Sequence, residues 1–159
     1  MRTFEEIVND VNKFFDIREL VSRAVYDKYQ TNAWRFFDPR LLETLIVLRR
    51  DILCIPLVVN NWRSGGNLQQ RGYRENTCDI VSTKTKNNAM YVSGHTLGMA
   101  VDFSSSKSDA KTMRKIIREH ADKLPYPVRL EDDASAPTWV HIGVDVPHTQ
   151  KAKVSVFKG

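Results

Sequence analysis

The chain has 159 residues, 42% of them hydrophobic and 27% charged, in 18.3 kDa. These are the proportions of one globular domain with an adequate core, and they exclude collagen, a disordered tail and a disulfide knot. A net charge of +5 and a pI near 9.3 suit an anionic partner, with nucleic acid and an anionic cell-wall polymer both open, although the basic residues are scattered with no Lys/Arg tract. No run approaches the roughly 18 apolar residues of a membrane span. The N-terminal MRTFEEIVND is acidic and helical where a secretory signal is basic and then apolar, so neither a span nor an export signal is expected.

In chain order, Phe4, Ile7, Val8, Val11, Phe14 and Phe15 recur at helical spacing behind a Thr3/Glu6 capping-box pattern, which predicts a first helix. A second is expected from near Asp16, with Ile17, Leu20, Val21, Ala24 and Val25 turned inward. Asp38 and Pro39 have the N-cap and N1 chemistry of a third, whose apolar stripe is Leu41, Leu42, Leu45, Ile46 and Leu48. After Pro56 the pattern changes. Leu57 to Val59 form a short β-prone run, and NNWRSGGNLQQRGYREN reads as a loop. Further strands are expected at Met99 to Phe103, Val128 to Glu131, Thr138 to Val146 and Val154 to Phe157, with a helix over Asp109 to Asp122 capped by Ser108 and a turn at DDASAP. The fold class is α+β, with a helical N-terminal part packed on a small, mostly antiparallel sheet. No repeat, low-complexity stretch or linker divides the chain, so residues 1–159 read as one domain.

Chemistry concentrates in two segments. His95 lies in SGHTLGMAVDF, where Gly94 and Gly98 permit a tight turn and Asp102 follows on a strand. Alternation along that strand sets Asp102 on the face opposite Val101 and Phe103, and a carboxylate beside a core strand needs a partner. On the later strand Val140, Ile142, Val144 and Val146 form one face and Trp139, His141, Gly143 and Asp145 the other, so His141 points away from the core. Two imidazoles and one carboxylate suit Zn²⁺ with a fourth position left for water, and would also accept Co²⁺ or Mn²⁺; a simple His95–Asp102 hydrogen bond across the turn is the alternative. Cys54 and Cys78 lack the paired spacing of a structural zinc site and are read as free thiols. His120, at a helix end, and His148, in a late loop, are left out of the site.

The segment Ser93 to Asp102 resembles the SxHxxGxAxD motif of the M15 family of zinc peptidases, which includes D-alanyl-D-alanine carboxypeptidases and phage peptidoglycan endopeptidases. TWVHI at Thr138 to Ile142 resembles that family's WxH element, and the similarity runs from about Pro56 to Val146 without the helical residues 1–52. The resemblance implies a hedgehog/DD-peptidase-like fold with a catalytic core at 56–146, and zinc held by His95, Asp102 and His141. It implies that Arg63 contacts substrate or the developing oxyanion and that Ser93 lines the substrate pocket. Gln69, Gln70 and Arg71 are further candidates for contacting peptide. Two positions depart from the pattern. Thr138 stands where many members carry a catalytic Glu, which leaves Glu131 as the expected base, with Asp132 and Asp133 as competitors. Gly143 stands where a carboxylate is common, so a residue supporting the metal ligands is expected to be missing. The implied function is hydrolysis of peptidoglycan stem peptides by a monomeric phage or prophage lysis enzyme, made in the cytoplasm and acting on the wall. A zinc-binding module without hydrolytic activity is the alternative. A nucleic-acid partner is not expected, because neither finger spacing nor an aromatic-basic strand is present.

Overall fold

The computed structural model describes residues 2–159, and its architecture is α+β. Helix α1 (Phe4–Val11) begins where Thr3 Oγ1 accepts from the Glu6 backbone N–H and Glu6 Oε2 accepts from that of Thr3, the reciprocal box expected from sequence. The second expected helix is split into α2 (Ile17–Leu20) and α3 (Arg23–Tyr29). Val21 is extended, and Ser22 starts α3 afresh by accepting from the Val25 N–H. The break rotates the second piece, so Val25 is buried while Ala24, expected inside, is exposed. Helix α4 (Pro39–Val47) follows its Asp38 cap as expected, runs into a π-turn at Leu48–Ile52, and packs on α1.

Leu57 to Val59 do not form a strand. Only Val58 bridges, to Ser104, because the chain then turns into a single 3₁₀ turn at Trp62–Ser64. Helix α5 (Asp79–Lys86) falls in a stretch for which the sequence offered no element. Strand β1 (Ala100–Phe103) precedes α6 (Ala110–Glu119), whose cap is Asp109, not Ser108, since the Asp109 carboxylate reaches both the N–H and the hydroxyl of Thr112. A 3₁₀ turn at Ala121–Lys123 ends this unit short of the uninterrupted helix expected.

Strands β2 (Val128–Glu131), β3 (Val140–Gly143) and β4 (Val154–Phe157) complete a sheet of order β1-β3-β2-β4. Its β1–β3 and β3–β2 pairings are antiparallel and β2–β4 is parallel. Strand β3 is shorter than the nine residues expected, and Arg114 accounts for its late start. This buried α6 side chain donates to the carbonyls of Ala136 and Trp139 and pairs with Asp133 at 2.9 Å, holding the loop before β3 off the sheet. One apolar cluster joins Val101, Phe103, Val128, Leu130, Val140 and Ile142 of the sheet to Leu41, Leu45 and Leu48 of the helical part. The opposite face carries Asp102 and His141, with Phe157 edge-on to the His141 ring at 5.5 Å. No helix among the described residues is long and apolar enough to cross a membrane.

Candidate metal centre

Strand β3 lies between β1 and β2, and its register sets His141 directly across from Asp102. Cross-strand partners share a face of the sheet, so imidazole and carboxylate meet on the side away from the core. His95 arrives from the turn before β1. Met99 N–H bonds the Gly94 carbonyl at 2.7 Å, and Gly98 takes φ +67°, where a Cβ would collide with the Phe36 carbonyl. A residue without a side chain is thus required both for the backbone sign and for the close approach.

His95, Asp102 and His141 are all buried, and their nearest donor atoms form a small triangle. His95 Nε2 is 3.2 Å from His141 Nδ1, which is 2.8 Å from Asp102 Oδ1, and His95 Nε2 is 3.4 Å from the same oxygen. Three donors each 2.0–2.1 Å from a tetrahedral ion would stand about 3.3 Å apart, so the triangle needs shifts of only a few tenths of an ångström to close on one. Secondary contacts support that use. His95 Nδ1 donates to the Gly72 carbonyl at 2.8 Å; a carbonyl only accepts, so the proton sits on Nδ1 and the Nε2 lone pair faces the triangle. Arg74 Nη2 holds the second oxygen of Asp102 at 3.1 Å, while its Nε and Nη1 bond the Gln70 carbonyl and Tyr91 Oη. Burial raises the Asp102 pKa, but the hydrogen bond from His141 and the closeness of both imidazoles outweigh it and hold the carboxyl well below the usual carboxylate range. These three residues could hold a metal ion.

The other expected residues are placed differently. Arg63 is half exposed on the 3₁₀ turn, where its Nη1 pairs with Asp16 Oδ2 at 3.0 Å, and it has no hydrogen bond or ion pair to the trio. Asp16 already caps α2 and binds Arg18, and this concentration of negative charge draws Arg63 toward the helical part. Ser93 Oγ accepts from the Thr96 N–H and closes the turn that contains His95. Gln69, Gln70 and Arg71 do line a cleft of about 360 Å³ beside the trio, together with Arg74, Asp102 and Trp139. Arg74, one position in the sequence-predicted loop, is the arginine that touches the trio. The alternation of Arg71, Tyr73 and Arg74 around Gly72 gave no sign of which would face it.

Among the acidic residues, Asp132 accepts from the Ser135 N–H and Asp133 pairs with Arg114, so neither is free. Among the described residues, Glu131 has no such partner. One step along the β2–β3 register places it opposite His141 on the trio's face, with its Oε1 directed at Gly159. Asp79, at the start of α5, lines the cleft and was not anticipated, because α5 was not. Asp145, bonded to Arg129 at 2.7 Å, occupies the space a side chain at 143 would take, but it does not reach the trio, and the buried His141 Nε2 has no hydrogen-bond partner among the described residues, as the glycine at 143 led one to expect. Cys54 is exposed and Cys78 buried; both are free and outside the cluster. In comparisons with known proteins, the chain matches no family model, no curated protein and no solved structure at a significant level of similarity.

Proposed function

We propose that the protein is a zinc peptidase of M15 type that cuts stem peptides of bacterial peptidoglycan, at D-Ala-D-Ala or at L-Ala-D-Glu. One observation carries the reading. Two histidines 46 residues apart and the carboxylate between them, each belonging to a segment that resembles an M15 motif, bring their donor atoms within 3.4 Å of one another beside a cleft. When bound, the ion would supply a Lewis acid that polarises a carbonyl and lowers the pKa of a coordinated water.

The chain's own residues would do the rest. His95 Nε2, His141 Nδ1 and Asp102 Oδ1 hold the ion, and the Gly72 carbonyl fixes the tautomer and orientation of His95. Arg74 is a positioning residue, since it acts through Asp102. Glu131 is assigned as proton acceptor because it shares the trio's face, whereas Asp132 is engaged by the Ser135 backbone N–H and Asp133 by Arg114. Asp79 is the rival for that role from the cleft wall.

A second reading, a metal-binding module without hydrolysis, is favoured by the exposed Thr138 at the position of the usual Glu and by the absence of any hydrogen bond between Glu131 and the trio. Mass spectrometry of purified peptidoglycan after incubation with zinc-loaded protein separates the two. The peptidase reading requires new peptide termini that disappear with chelator and with Glu131→Gln. Unchanged muropeptides establish the binding module instead, and loss with Asp79→Asn but not Glu131→Gln reassigns the base.

A further inference from the structure

Beside the trio, the cleft contains a second cation, Arg71. Arg74 has Asp102 for a partner, but Arg71 has no carboxylate oxygen within 4.0 Å among the described residues. Its guanidinium carries five donors, and one is used, from Nη1 to Ser104 Oγ at 2.9 Å. It is half-buried. Most of its donors are therefore free on the cleft wall to meet an anion there.

Backbone geometry fixes where that guanidinium lies. The Asp102 N–H bonds the Arg71 carbonyl at 2.7 Å, so Arg71 runs along the edge of β1, and its side chain reaches Ser104. Ser104 is two residues beyond Asp102 and on the same side of an extended chain, about 7 Å along it. An anion held by Arg71 would therefore sit one short residue's reach from a carbonyl placed at the trio. Asn67, Gln69 and Gln70 furnish amides along the same wall for the peptide itself.

We propose that Arg71 is a specificity-determining residue that binds a carboxylate carried on the α-carbon of the residue immediately following the scissile bond. This rests on the peptidase reading and narrows its substrate class. The two candidate bonds share that feature. The last D-Ala of a stem peptide has its C-terminal carboxylate there, and D-Glu, linked onward through its γ-carboxyl, leaves its α-carboxylate free at the equivalent atom. An ordinary internal peptide bond has an amide there and would leave Arg71 unpaired.

The test uses the zinc-loaded full chain and the synthetic peptide L-Ala-γ-D-Glu-L-Lys-D-Ala-D-Ala in three forms: free acid, D-Glu α-amide and C-terminal amide. The wild type is expected to lose on the order of 10- to 100-fold in kcat/KM, chiefly through KM, when the carboxylate next to the cleaved bond is amidated. Which amide does so identifies the source. Arg71→Gln should lose the same factor on the free acid and almost nothing further on that amide, whereas Arg71→Lys should retain part of the preference. Equal losses for Arg71→Gln on acid and amide, or equal cleavage of both by the wild type, overturn the assignment. If no form is cleaved, the peptidase reading fails by itself and calorimetric binding of the same peptides decides the role of Arg71: weaker binding of one amide, lost in Arg71→Gln, supports it, and equal binding of acid and amides overturns it. Thermal melting of both variants checks that they fold.

Discussion

Replacing Asp102 by Asn keeps the shape of the side chain and removes its charge, which is what the trio depends on. The carboxylate accepts from His141 at 2.8 Å, lies 3.4 Å from His95 Nε2 and pairs with Arg74 at 3.1 Å, and its side chain is only 9% exposed. Breaking a buried pair by removing one partner costs about 3–5 kcal/mol, and the low end applies because Asn still offers an acceptor oxygen. At about 2–4 °C per kcal/mol for a domain of this length, the metal-free variant should melt roughly 6–12 °C below the wild type at pH 7. The sign with pH follows from the depressed Asp102 pKa. The stabilisation is present in full above the usual carboxylate range and is lost as pH falls from about 4 toward the lower folded-state value, so the gap between the two proteins should narrow in acid. Zinc affinity, measured by competition with a chromogenic chelator, should fall at least 100-fold, since loss of even an outer support costs about 10–100-fold. A melting gap that is the same at pH 3 and pH 7, or an unchanged zinc affinity, would refute the reasoning.

Gly98→Ala should destabilise by about 2–4 kcal/mol, because it combines a left-handed backbone with a collision against the Phe36 carbonyl; urea unfolding gives the value directly. Arg114→Met should cost about 2–4 kcal/mol by stranding the carbonyls of Ala136 and Trp139, and amide exchange should show the loss concentrated in the loop before β3. The Asp16 carboxyl is lowered to about 2, mainly by its hydrogen bond with Arg18 and against the effect of burial. Its stabilisation, about 1 kcal/mol after solvent screening, is therefore present above pH 4 and lost on acidification from there toward pH 2, and Asp16→Asn should flatten that limb of the acid-unfolding curve.

Local signals were legible where backbone chemistry is local. The Thr3/Glu6 box, the Asp38–Pro39 start of α4 and the alternation around Asp102 and His141 each state their outcome within a few residues. Convergence of the three site residues followed from a motif resemblance together with two strands whose polar faces had to coincide once they paired. Helix α5 was not legible, because Asp79–Lys86 has a single buried residue, Val81, two β-branched threonines and a Cys78 cap that makes no side-chain bond. Arg63 and Arg74 could not be ranked from spacing either. What separates them is a long-range choice of partner, Asp16 for one and Asp102 for the other, which only the packing of the helical part against the 60–74 loop decides.

The central claim is that three side chains hold one ion, and anomalous diffraction at the zinc edge from crystals grown with one equivalent of zinc tests it most directly. The account predicts a single strong peak about 2.0–2.2 Å from His95 Nε2, His141 Nδ1 and Asp102 Oδ1, facing the cleft lined by Arg71 and Trp139. A peak held by Cys54, His120 or His148, or no peak at the trio while the protein retains zinc in solution, would contradict it.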